Sequence, residues 1–224
     1  MSSIPERLLE TLQQIEQAAQ GRPVTLVAVS KTHPIEALLQ AYQAGQRIFG
    51  ENKVQEARDK APLLPEDAEL HLIGPLQSNK AKYCPDLFSW VHSLDRLEVA
   101  EKLSQKCAEK GQNLKVLVQV NLSGEASKFG LGRADELLPF CEAILKLPHL
   151  ELKGLMTIGH PGFDEAGNRR LFAQLRELRQ STASKLGLSS QMDQLSMGMS
   201  HDWQAALEEG ATMLRIGSAI FGAR

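Results

Sequence analysis

Short apolar-rich runs recur along this chain at 25–31, 47–51, 70–74, 89–95, 114–121, 150–159, 194–200 and 213–221. In the first of them Leu26, Val27, Ala28 and Val29 follow one another without polar alternation. That pattern predicts a strand covered on both faces, as in a parallel sheet, because a half-exposed strand would alternate. Between the runs lie segments with helical periodicity: 5–19, carrying Leu8, Leu9, Leu12 and Ile15, then 34–44, 52–60, 96–110, 134–146, 165–186 and 201–209. Gly45, Gly111, Gly187 and Gly210 stand where helix ends need a left-handed residue.

Strands alternating with helices imply a parallel α/β sheet with crossover helices. Eight strand-like runs are also the number that closes a (β/α)₈ TIM barrel. The chain stops at Arg224, just after the eighth run, so no segment is left for an eighth helix. The extra N-terminal helix is expected to cover that gap in the outer ring. An open doubly wound sheet is the alternative, since strand order is not written in sequence. With no linker or low-complexity stretch, residues 1–224 read as a single domain.

Composition narrows the function. Net charge is −2, with 23% charged residues of both signs interspersed, which gives no electrostatic footprint for nucleic acid or an anionic membrane. No signal peptide and no apolar run near the roughly 20 residues of a membrane span are visible. Cys84, Cys107 and Cys141 are scattered and odd in number, which suits a reducing, cytoplasmic setting. The six histidines lack ligand spacing, and neither a P-loop nor a dinucleotide-binding glycine fingerprint occurs.

Barrel chemistry sits at the C-terminal strand ends. There the sequence offers Lys31, Asn52, Ser200, Arg215, Gly217 and Ser218. Lys31 closes the first strand at an apolar slot, where desolvation disfavours the ammonium and frees an amine to condense with an aldehyde. Ser200 would cap the helix 201–209 and, with Gly217 and Ser218, would form a phosphate cradle after strands seven and eight. Arg215 interrupts an apolar strand, and alternation sets it with Gly217 on one face and Leu214 with Ile216 on the other. A buried guanidinium needs an acceptor, either a carboxylate that makes it structural or a ligand atom. Asn52 could direct its amide at a ligand oxygen, although the cap of helix 52–60 is the simpler role.

One ligand suits this set. Pyridoxal 5′-phosphate has an aldehyde for Lys31, a phosphate for Ser200, Gly217 and Ser218, and a ring nitrogen for Arg215. Arginine only donates, so that nitrogen would stay unprotonated and the cofactor would be a weak electron sink.

The stretches VAVSKTHP at 27–34, FGENKVQE at 49–56, HLIGPLQSNK at 71–80, VQVNLSGE at 118–125, GLMTI at 154–158, LSMGMS at 195–200 and RIGSAIFG at 215–222 resemble the pyridoxal phosphate homeostasis protein family. The resemblance implies a fold like the barrel domain of alanine racemase and a Schiff base on Lys31. It also implies a cofactor lined by Ser196, Ser200, Arg215, Gly217 and Ser218 with Asn52 nearby, and a role in vitamin B6 and amino-acid homeostasis without robust catalysis. Leu70 and Lys53 depart from the family pattern, which often has tryptophan and tyrosine there.

Two functional classes remain open: a cofactor carrier that serves pyridoxal phosphate-dependent apoenzymes, and a racemase-like enzyme. A two-base racemase needs acid–base groups on both faces of its adduct. Tyr42 and Tyr83 both fall in helical stretches, and no second domain is left to close the site, which favours the carrier. The mixed-charge surface points to a monomer.

Overall fold

A computed structural model describes residues 2–124 and 129–222. The elements run α1 (Ile4–Ala19), β1 (Thr25–Val29), α2 (Ile35–Gln43), β2 (Ile48–Glu51), α3 (Val54–Lys60), β3 (Glu69–Leu72), α4 (Cys84–Leu87), β4 (Trp90–Leu94) and α5 (Leu97–Lys110). They continue with β5 (Leu114–Gln119), α6 (Ala134–Leu145), β6 (Leu150–Met156), α7 (Glu165–Leu186), β7 (Gln194–Ser196), α8 (Trp203–Glu208), β8 (Met213–Ile216) and α9 (Ser218–Phe221). The eight strands form a closed barrel in sequence order, sealed by parallel pairing of β1 with β8 from Thr25 opposite Met213 to Ala28 opposite Ile216. The fold is therefore the TIM barrel, and the open sheet is excluded.

Every expected strand is present, and all but β2 are shorter at the C-terminal end. Residues 30–31, 157–159 and 197–200 belong to loops, and 218–221 is the short helix α9. Gly111 and Gly187 close α5 and α7 in the left-handed conformation (φ 64° and 69°), where a side chain would be strained.

α1 begins with a capping box, in which Ser3 Oγ accepts from Glu6 N and Glu6 Oε2 accepts from Ser3 N. Its apolar stripe buries Leu8 and Ile15. The helix packs against α2, α8 and α9, and Arg7 Nε donates to the Ile220 carbonyl at 2.7 Å. It fills the space beside α9, which is only four residues long, as the sequence suggested.

Strand alternation sorts side chains into two layers. Leu26, Ala28, Phe49, Leu72, Leu214 and Ile216 face the helices in one large apolar core. The barrel interior is different. Val27, Val29 and Ile73 form one small apolar cluster, and Leu117, Met156 and Met213 form another. The remaining inward positions include His71, His92, Ser196 and Arg215, all buried. At Gly154 a Cβ would lie 1.9 Å from the Gln194 carbonyl oxygen, so only glycine lets β6 approach β7 there.

Candidate functional site

The C-terminal mouth of the barrel holds a cavity of about 450 Å³. Lys31, Asn52, Ser200, Arg215, Gly217 and Ser218 all line it. Residues from β1, β2, β7 and β8 thus converge, as expected for a barrel active face.

Lys31 stands in a turn closed by His33 N donating to the Ser30 carbonyl at 3.1 Å. On its N-terminal side Ser30 N donates to the Gly50 carbonyl at 3.0 Å. The Ser30 hydroxyl donates to Glu51 Oε1 at 2.7 Å, and its carbonyl accepts from Lys60 Nζ at 2.9 Å. On the other side Thr32 has φ 66°, uncommon for a residue with a Cβ, and its N–H donates to Glu56 Oε2 at 2.9 Å. Beneath the turn the Lys60 ammonium meets Glu51 Oε1 at 2.7 Å. Burial raises the Glu51 carboxyl above its usual range, opposed by the hydrogen bonds from Lys60 and Ser30. Its second oxygen, Oε2, is buried without a hydrogen-bond partner.

Arg215 is buried and shares the inward face of β8 with Met213, while Leu214 and Ile216 join the helix-facing core. Its NH1 donates to Ser196 Oγ at 2.6 Å and its NH2 to the Thr157 carbonyl at 2.8 Å. Both acceptors are neutral, so among the described residues the guanidinium is not half of an ion pair. Burial pushes it down to about 10, and the Asp202 carboxylate opposes that shift.

Ser200 is not a helix cap. α8 starts at Trp203 with Asp202 at the cap position, and Asp202 Oδ1 instead accepts from Met199 N at 2.7 Å. The Ser200 hydroxyl faces β8 and accepts from Gly217 N at 3.4 Å. Gly217 lies so close to β1 that a Cβ would sit 3.0 Å from the Val29 carbonyl oxygen. Asn52 is not a cap either, because Lys53 holds that position at α3. Its backbone packs on Gly74, where a Cβ would meet the Asn52 carbonyl oxygen at 2.4 Å. Ser196 does not line the cavity; it is fully buried and supports Arg215 through its hydroxyl. Leu70 faces the helix layer.

Sequence reasoning missed His33 and Gln119, which also line the cavity. Gln119 ends β5, and its side chain donates to the Phe129 carbonyl at 2.9 Å. Its place at a strand end was the available signal. Tyr42 belongs to α2 and Tyr83 to the 3₁₀ turn Ser78–Tyr83; neither lines the cavity.

The model of the alanine racemase N-terminal domain matches residues 5–224. The pyridoxal phosphate homeostasis protein of Vibrio cholerae is 48% identical over 234 residues, covering 100% of this chain and 98% of that protein. The Escherichia coli protein of the same name is 42% identical over 233 residues, covering 100% and 98%. The chain belongs to the pyridoxal phosphate homeostasis protein family. Among solved structures, PipY of Synechococcus elongatus without pyridoxal phosphate is 39% identical with a TM-score of 0.90, over 98% of this chain and 100% of that one. The same protein with pyridoxal phosphate bound gives a TM-score of 0.88 over the same shares. An alanine racemase of Clostridium difficile, 14% identical with a TM-score of 0.78, covers 98% of this chain and 57% of its own, and shares the fold alone.

Among the described residues, no helix is long and apolar enough to cross a membrane.

Proposed function

We propose that this protein binds pyridoxal 5′-phosphate in the mouth cavity as a Schiff base on Lys31. It thereby holds the cofactor for intracellular vitamin B6 and amino-acid homeostasis without robust catalysis of its own. The observation that carries the reading is one cavity bordered by an amine, a buried arginine donor and two hydroxyls beside a glycine. Its volume suits a small cofactor. The amine of Lys31 would condense with the aldehyde, losing one water as the imine forms. Ser200, Gly217 and Ser218 would receive the phosphate, and Arg215 would donate to the ring nitrogen. Asn52 would complete the rim, and Ser196 would act on the cofactor through Arg215. Arginine leaves the ring nitrogen unprotonated, which weakens carbanion stabilisation and favours holding over turnover. The name of the curated relatives and the bound pyridoxal phosphate of PipY support this reading.

In this reading residues 1–224 act as a single cytoplasmic, monomeric cofactor-binding domain, and pyridoxal phosphate-dependent apoenzymes are the recipients. Borohydride reduction of the isolated protein followed by peptide mass spectrometry tests the attachment. A pyridoxyl group on Lys31 is expected; modification at another lysine instead, or none, overturns it. Racemisation of alanine or serine at enzymatic rates would replace the carrier with the racemase-like alternative.

A further inference from the structure

The inward face of the barrel carries a row of polar side chains where a TIM barrel ordinarily stacks branched apolar residues. Below Arg215, the Ser196 hydroxyl lies 2.9 Å from His92 Nδ1, and His92 Nε2 lies 3.0 Å from His71 Nδ1. At the far end His71 Nε2, buried without a hydrogen-bond partner, lies 3.6 Å from Glu69 Oε2, at the N-terminal edge of β3. Ser196, His71 and His92 are all at most 2% exposed, so each proton must have a defined place.

Only one proton order satisfies the contacts from Arg215 to His71 Nδ1. Arginine cannot accept, so Arg215 donates to Ser196 Oγ. If His92 Nδ1 also donated to that oxygen, the serine hydrogen would be left buried without an acceptor, at the full cost of its desolvation. The serine therefore donates to His92 Nδ1. His92 must then carry its proton on Nε2 and give it to His71 Nδ1. His71 in turn carries its proton on Nε2, facing the Glu69 carboxylate. The charged groups around the two imidazoles agree with a neutral pair. Arg215 on β8 and Lys115 on β5 disfavour a further positive charge, Asp202 lies beyond Arg215, and only Glu69 on β3 favours one. Burial is the largest effect and lowers both histidines, His92 well below its usual value. Trp90 packs beside His71 in a tilted arrangement with ring centroids 5.8 Å apart, and Lys115 lies 5.3 Å from its ring.

We propose that Ser196, His92 and His71 are positioning residues: a one-directional hydrogen-bond row, with the Glu69 carboxylate facing its far end, that fixes Arg215 as a donor on the cavity floor. The inference deepens the proposed cofactor site and rests on it for its effect on the cofactor, whereas the proton order stands on the protein alone. Four strands contribute to the row, so the donor would be set by the barrel itself rather than by a mobile loop.

Nitrogen-15 NMR of histidine-labelled, cofactor-free protein tests the order without any variant. Bare Nδ1 and protonated Nε2 are expected at both His71 and His92 across pH 6–9. A protonated Nδ1 at either residue, or ordinary histidine titration in that range, overturns the proposal. The effect on the cofactor is read from the pH midpoint of the Schiff-base absorption band. His92→Leu removes the acceptor of Ser196 and is expected to raise the midpoint by roughly half a unit, in the direction of Arg215→Ala. His92→Asn, which restores an acceptor oxygen, is expected to return it toward the wild-type value. A merely structural histidine would lower Tm and leave the midpoint unmoved, and that result overturns the positioning role. Should the wild-type protein show no such band, the cofactor reading fails while the NMR result still decides the proton order.

Discussion

Lys60→Met isolates the buried pair beneath the Lys31 turn. Methionine keeps most of the apolar stem of Lys60 and removes its ammonium, which donates to Glu51 at 2.7 Å and to the Ser30 carbonyl at 2.9 Å. Glu51 is fully buried and would keep only the Ser30 hydroxyl, with Oε2 already without a partner. Breaking a buried pair from one side costs about 3–5 kcal/mol, because the other charge stays behind. For a domain of this size that corresponds to a fall in Tm on the order of 10 °C at neutral pH. The pH dependence fixes the cause. Burial already raises the folded-state pKa of Glu51 above its unfolded value, and loss of Lys60 raises it further. Between those two values the folded protein binds more protons than the unfolded chain, so stability falls as pH rises through the window. The variant should therefore lose much less at pH 5 than at pH 8. Adding Glu51→Gln removes the stranded charge and should recover a large part of the loss at pH 8. Chemical denaturation followed by circular dichroism at both pH values measures all of this. A loss below about 1 kcal/mol, or an equal loss at the two pH values, would refute the assignment of Glu51 as a buried carboxylate held by Lys60.

Lys31→Ala should abolish Schiff-base absorption and leave the circular dichroism spectrum unchanged, since the side chain borders the cavity rather than the core; a surviving band would show that another lysine is the anchor. Arg215→Ala removes the donor to the Ser196 hydroxyl and the Thr157 carbonyl but spares the covalent link, so dialysis should remove cofactor from it more slowly than from Lys31→Ala, and the reverse rank would count against the ring-nitrogen role. Gly154→Ala should destabilise the fold by about 2–3 kcal/mol in urea denaturation, because its Cβ would meet the Gln194 carbonyl; a neutral effect would mean that β6 and β7 can part at little cost.

The strands were legible because both faces of each are covered, so apolar residues dominate each run, without a break in Leu26–Val29. The same property hid where most of the strands stop. Met197 and Met199 continue the apolar run beyond β7, yet Gly198 takes φ 91° and the backbone has already turned. The cap assigned to Ser200 failed for a related reason. The helix begins two residues later than its pattern, and the turn is held by Asp202 reaching back to Met199 N. A short polar residue before an amphipathic stretch does not say which of several will cap it. Lys31 and Arg215 were legible because a charge ends one apolar run and interrupts another. His71 and His92 were not, since an imidazole in a strand run disturbs hydropathy little, and their 3.0 Å contact joins residues 21 positions apart.

The two layers of the barrel explain why a site of this kind can sit on so small a frame. The helix-facing core supplies the apolar burial and includes the outward residues of β1 and β8. Because that layer is continuous, the interior is free to carry polar groups that would be costly in a fold with one core. Each interior group is then constrained twice, by its strand register and by the next hydrogen bond. Val27 pairs with Arg215 across the β1–β8 closure, so the strand that leads to Lys31 is registered directly against the strand that carries the arginine. A register slip of one residue would turn Arg215 into the apolar layer and carry Leu214 or Ile216 into the interior. The closing pair of strands thus sets the relation between amine and guanidinium.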